Sequence, residues 1–365
     1  MSINGIFVVD SVVHGFDTTA ANAIGRFGRG VLLSNFGFQW AMVPDPYRVE
    51  PLRYFQTISA DVLEALLFHE SEVDVAVYHT VPAWGFFRDF SPMSVGLELR
   101  RRHPRRVLLY GGVSPLQGQK ALDDLERQVE EWGIIGLKLY PVDVVDGELR
   151  VLSFADREIL YPVLERCRRL GVKVIAVHKA MPLGPVQMDP FRNGDVDYAA
   201  IDFPDLAFEV VHSGLAFLDE AALQLARFPN VYVGLESTAA LAVTHPRKFA
   251  RILGEFLLAG GGDRLFWASG AASPHPRPIL EAFAGFAMPP DMIEGDGYPA
   301  VTPAIKADIL GRNYARVHGL DLAAIAASVA DDAGSRRRRD GLAPPWSRLA
   351  VPASPDPLAL EARAT

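Results

Sequence analysis

The chain has 365 residues, 49% hydrophobic and 22% charged, with a formal net charge of −8. That negative balance argues against nucleic acid as the main partner, the apolar runs are too short to span a bilayer, and a single cysteine, Cys167, excludes an intrachain disulfide. The composition is that of a soluble globular protein, and the start lacks a signal-peptide pattern, so a cytoplasmic location is expected.

Eight short runs read as strands. They are "IFVVD" (6–10), "VDVAVYHT" (73–80), "RVLLYGGV" (106–113), "IIGLKLYP" (134–141), "VKVIAVHK" (172–179), "AFEVVHSG" (207–214), "VYVGLES" (231–237) and "RLFWASG" (264–270). Amphipathic stretches separate the later ones. "DDLERQVEEWG" carries Leu125, Val129 and Trp132 at helical spacing and stops at Gly133. Strands alternating with helices predict a parallel β/α architecture. Eight of them at this length predict a (β/α)8 TIM-type barrel over residues 1–322. Residues 323–365 are expected to form a C-terminal helix and an extended tail. Two aromatic- or Pro/Gly-rich insertions, 16–60 and 181–205, are expected as long loops at the C-terminal mouth.

Side chains at the C-terminal ends of barrel strands converge on one mouth. His14, His178 and His212 end the first, fifth and sixth strands, and Glu236 ends the seventh. Three of nine histidines at equivalent strand ends, with a carboxylate beside them, are the ligand types of a divalent ion such as zinc, manganese or iron. In "FVVDSVVHGFD" strict alternation would put Asp10, Val12 and His14 on one face. Lys138 and Lys179 are candidate pocket cations, because a buried ammonium needs a partner. Trp40, His79, Trp84, Phe87 and His275 are candidate substrate contacts, and Phe36, Phe38 and Phe86 lie in the same aromatic runs.

These motifs, taken in order, resemble the amidohydrolase superfamily, in the branch that includes aminocarboxymuconate-semialdehyde decarboxylase. The resemblance runs from about residue 6 to 322. "FVVDSVVHGFD" sits where the branch has Asp-x-His-x-His. "EWGIIGLKLYP", "VIAVHKA", "IDFPDLAFEVVHSG" and "FPNVYVGLES" resemble its fourth to seventh strands. "GDRLFWASG" sits where it ends in Gly-Ser-Asp, and "IKADILGRNYARVHGLD" resembles its closing helix. There the metal is held by the His pair, the fifth-strand His and the eighth-strand Asp, and the sixth-strand His assists. This chain departs twice, with Val12 at the first His and Gly270 at the Asp.

The expectation is a metal-dependent hydrolase with one divalent ion on His14, His178, His212 and Glu236. Its metal-bound water would cleave an ester, thioester or amide of a bulky apolar acid. His212, Glu236, Lys138 and Lys179 would do the chemistry. The alternatives are non-oxidative decarboxylation of an aromatic or enoic acid, and a metal-free small-molecule binding protein. The partner expected is a small apolar molecule, with neither nucleic acid nor membrane, and a homodimer is the oligomer considered.

Overall fold

Eight of the apolar runs form parallel strands in the computed structural model, which describes residues 3–363. They are β1 (Val9–Val13), β2 (Val75–His79), β3 (Val107–Gly112), β4 (Gly136–Leu139), β5 (Val174–His178), β6 (Ala207–Val211), β7 (Val231–Gly234) and β8 (Leu265–Phe266). Each pairs in parallel with its neighbour in chain order. Backbone bonds from Ser11 N to the Trp267 carbonyl (3.2 Å) and from Gly270 N to the Val12 carbonyl (3.1 Å) close β8 onto β1. The result is the expected barrel. Its strands are covered on both sides, which is why they read as continuous rather than alternating apolar runs.

The first strand does not alternate as expected. Its register shifts between Asp10 and Val13. Val12 packs in the barrel's inner cluster with Val9, Val77, Val174 and Ala176. Asp10 instead accepts from Ser269 N (2.9 Å) and Ser269 Oγ (2.5 Å), tying β1 to the turn after β8. Burial pushes the Asp10 carboxyl up to about 7, against the pull of those bonds.

The insertion 16–60 is largely helical. Its main element, the helix Gly25–Met42, carries Gly25, Gly28, Gly30 and Gly37, which mask its periodicity in the sequence. A hairpin, Val142–Val145 with Glu148–Val151, follows β4. It turns on Asp146 (φ +53°) and Gly147 (φ +79°), the Asp-Gly pair that a tight hairpin prefers.

The C-terminal part packs rather than trails. Helices Leu322–Val329, Ala333–Arg339 and Pro357–Ala362 are joined by irregular chain; positions 1, 2, 364 and 365 of the two expected ranges lie outside the described residues. Within the basic run "SRRRRD" (335–340), Arg338 turns inward to Asp74 (3.1 Å). Farther on, buried Glu70 accepts from Trp346 N (2.7 Å), Ser347 N (2.8 Å) and Ser347 Oγ (2.6 Å). Arg53 binds the Trp346 and Leu349 carbonyls, and Asp356 accepts from Ala20 N. The segment thus straps the 16–60 insertion to the barrel. Glu70→Gln should destabilise the protein by about 1–3 kcal/mol, because it replaces a charged acceptor serving several donors. Limited proteolysis should then cut first after Gly341; unchanged cleavage would show that the strap is held elsewhere.

Candidate active site

Three successive strand ends leave the barrel through left-handed backbone: His212 (φ +64°), Ser237 (φ +61°) and Gly270 (φ +73°). Non-glycine residues there are strained, and such strain collects at functional sites. These turns aim His212 and Glu236 into one small cavity of about 40 Å³, together with His14 and His178. Phe16, Phe38, Phe90, Tyr140 and Leu183 form its apolar wall, and Asn35 and Phe38 reach it from the helix Gly25–Met42. The cavity is narrow, with room for a water molecule.

The imidazoles are largely committed to one another and to the backbone. His14 Nδ1 donates to the His79 carbonyl (2.9 Å) and leaves Nε2 free, 4.0 Å from Glu236 Oε1. His178 Nε2 lies 2.8 Å from the Met181 carbonyl, which can only accept, so Nε2 carries the hydrogen. His178 Nδ1 is then the acceptor for His212 Nε2–H at 3.1 Å. The His212 Nδ1 contact to the Glu236 carbonyl is longer, 3.3 Å. Burial pushes all three imidazoles down, His14 to about 3, and the Lys138 charge adds to this; each is neutral at pH 7.

Glu236 is different. It is buried, and its Oε2 has no hydrogen-bond partner; His212 Nε2 is 3.6 Å away, too far to serve. Burial pushes its carboxyl up to about 7, opposed by the Lys138 charge. A Cβ added to Gly270 would lie 3.0 Å from Glu236 Oε1. Glu236 therefore fills the space beside the position where the resemblance expects the eighth-strand Asp.

The expected metal set is not assembled as one. Among the described residues no group of three or more His, Cys, Asp or Glu side chains is arranged to hold a metal ion. His178 Nδ1 and His212 Nε2 face each other, Val12 is core packing, and Gly270 carries no ligand. These residues do not fit the ion that the resemblance implies.

Other expected site residues lie elsewhere. Lys179 donates to the Pro190 carbonyl (2.9 Å) and to Asp195 (2.7 Å), pinning the 181–205 insertion. His275 pairs with Glu70 (3.0 Å) and caps the helix Pro276–Gly285. His79 Nε2 bonds the Ser11 carbonyl (2.9 Å), and Phe87 stacks behind Phe90 with ring centres 4.1 Å apart. Trp40 lines a surface groove beside Phe36, and Trp84 lines another with Arg88 and Lys120. Lys138 lies in the barrel interior and does not line the cavity. Trp84→Ala should therefore change kcat/KM by no more than about twofold; a larger loss would place its groove on the substrate path.

Asn35, Phe16, Phe90 and Tyr140 were not anticipated. Tyr140 stacks on His178 with centroids 4.4 Å apart. Its position directly after a strand end, in "KLYP", was the available signal.

The family model described as amidohydrolase (Amidohydro_2) matches residues 58–320. No curated protein matches the chain. An uncharacterised TIM-barrel protein from Bordetella bronchiseptica superposes with TM-score 0.58 at 17% identity, over 86% of this chain and 99% of that one. A 2,6-dihydroxybenzoate decarboxylase from Rhizobium gives 0.54 at 14%, over 86% and 99%. A probable 2-pyrone-4,6-dicarboxylic acid hydrolase from Acinetobacter baumannii gives 0.52 at 14%, over 86% and 99%. At these identities the likeness is one of fold.

Proposed function

The chain belongs to the amidohydrolase family, and from that premise we propose that it decarboxylates a small aromatic or enoic carboxylic acid without an oxidant, with Glu236 as the proton donor. The observation that carries this reading is the buried, unpartnered Glu236 carboxyl in an apolar cavity, beside the position of the missing eighth-strand carboxylate. The absence of an acid at Gly270 would otherwise count against decarboxylation, and Glu236 removes that objection.

A flat acid would lie between Phe16, Phe38, Phe90 and Tyr140, and His14 Nε2 would accept a hydrogen bond from a ring hydroxyl. Glu236 gives its proton to the carbon that bears the carboxylate. The bond to that carboxylate breaks, its electron pair restores the π-system, and carbon dioxide leaves. Glu236 is left ionised and regains a proton from water. General acid catalysis of this kind contributes about 10²–10⁴-fold. The small cavity and the outlying positions of Trp40 and Trp84 favour a compact substrate over the bulky one expected from sequence.

Hydrolysis of an acyl derivative is the second reading. Ionised Glu236 could deprotonate a water in the same cavity, and one neighbour in fold is described as a hydrolase. A panel of hydroxybenzoates and enoic acids, with their esters and thioesters, separates the two. Decarboxylation predicts carbon dioxide release and, in heavy water, one deuterium on the carbon that lost it. Release of free acid from an ester, with no carbon dioxide, would give hydrolysis the first place.

A further inference from the structure

We infer that this barrel works without a divalent ion, and that Lys138, set beside Glu209, supplies the positive charge of its interior. The metal-free half stands on the donor arrangement alone; the role of the charge toward an anionic substrate rests on the decarboxylation reading.

The first observation is how the donors are used. His178 Nδ1 and His212 Nε2 bond each other at 3.1 Å, and Glu236 Oε1 is 4.0 Å from His14 Nε2. A ligand set needs three or more lone pairs converging on one point; here His178 Nδ1 accepts the hydrogen of His212 Nε2, and among the described residues no such group is assembled.

The second is a cation already inside the barrel. Lys138 on β4 is fully buried, and its Nζ has no hydrogen-bond partner. Glu209 on β6 is also fully buried, with both carboxylate oxygens unpartnered. Lys138 and Glu209 lie on one row of the sheet, Lys138 beside Ala176 and Ala176 beside Glu209. The residue between them is the small Ala176, which leaves the barrel centre to the two long side chains. Glycine at 234 leaves room for Glu209, since a Cβ there would be 2.8 Å from its Oε1.

The third is reach. The Lys138 charge acts on Glu209 and Glu236, and on His14, His79, His178 and His212. In a dry interior an ammonium in this position repels a dication and attracts a carboxylate anion. Lys138 touches neither the cavity nor a reacting atom, so it is a positioning residue that acts through its field.

The test uses the full chain, purified without chelator from cells supplied with zinc, manganese and iron salts. Metal content should be below about a tenth of an equivalent, and titration with Mn²⁺ or Zn²⁺ should show no tight site. Lys138→Met, and Lys138→Gln as a second variant checked by circular dichroism, should gain Zn²⁺ affinity by about tenfold or more. The same variants should weaken benzoate binding by about tenfold while leaving neutral benzamide unchanged, a split that a merely structural role would not produce. One equivalent of tightly held divalent ion in the wild type, released by Glu236→Gln or His14→Ala, would overturn the proposal, as would equal losses for benzoate and benzamide. If no substrate is turned over, the decarboxylation reading fails, and the metal and benzoate results still decide this one.

Discussion

Glu236→Gln is expected to lower kcat for decarboxylation about 10³-fold and, at pH 8, to make the protein more stable. The first effect follows from the role of Glu236 as the only carboxylic acid among the described residues that line the cavity. Glutamine keeps the shape and the polarity but has no proton to give. The second follows from linkage. The carboxyl has an ordinary value of 4.5 and is pushed up to about 7 by burial. Between those values the folded protein holds a proton that the unfolded chain has released, so stability falls as pH rises from about 4.5 to 7 and stays low above it. Below 4.5 both states are protonated and the substitution is neutral. At about 1.4 kcal/mol per unit, the gain at pH 8 has an upper limit of about 3.5 kcal/mol. The charge lost to Lys138 brings it below that limit. In the wild type kcat should fall as pH rises past about 7, because the acid form does the work. Urea unfolding at pH 5 and pH 8, beside a pH–rate profile, measures both. A variant that keeps its turnover would remove Glu236 from the chemistry. One that is no more stable at pH 8 would show that Glu236 is not strained by burial.

This opposition of activity and stability explains which residues could be read from the sequence. His14, His178, His212 and Glu236 were legible because strand ends in a parallel barrel share one mouth, and strand ends follow from local apolar pattern. Tyr140 sits at the same kind of position but looks like packing, since nothing local distinguishes a cavity wall from a core aromatic. Lys179 and His275 looked equally chemical. Their partners, Asp195 and Glu70, lie 16 and 205 residues away, and those pairings turn them into fasteners. The spacing of Glu209 behind His212 was visible, but its importance depends on Lys138 across the barrel, with Ala176 between. The register shift in β1 was invisible for the same reason. It is set by closure against β8, where Asp10 meets Ser269, and not by the run "VVDSVV" itself. The helix Gly25–Met42 was hidden by its glycines. Two of them are required by packing, because a Cβ at Gly28 would be 2.0 Å from the Phe86 carbonyl oxygen and one at Gly30 2.9 Å from Pro185.

Restoring the family pattern should damage this site, and moving its carboxylate should partly repair it. Gly270→Asp places a side chain at φ +73°, with its Cβ 3.0 Å from Glu236 Oε1 and 3.2 Å from Glu236 Cγ. The left-handed backbone costs about 1–2 kcal/mol for a residue with a Cβ, and a second buried carboxylate beside the first adds like-charge repulsion. Together these predict a loss of about 3 kcal/mol in urea unfolding. Val12→His adds a buried imidazole where Val12 packs at 0% exposure, at a further cost of about 1–3 kcal/mol if its nitrogens find no partner. The double variant should bind Zn²⁺ no better than the wild type. Glu236→Ala with Gly270→Asp is the informative pair. It removes the crowding atoms and returns one carboxylate to almost the same space, so the two changes should be far from additive. It should be more stable than Gly270→Asp alone and should recover at least about tenfold of the turnover lost in Glu236→Ala, roughly 1.4 kcal/mol of barrier. If the pair is no more active than Glu236→Ala, the carboxylate is needed from β7 with its own geometry. Glu236 would then be a distinct acid rather than the eighth-strand one moved by a strand.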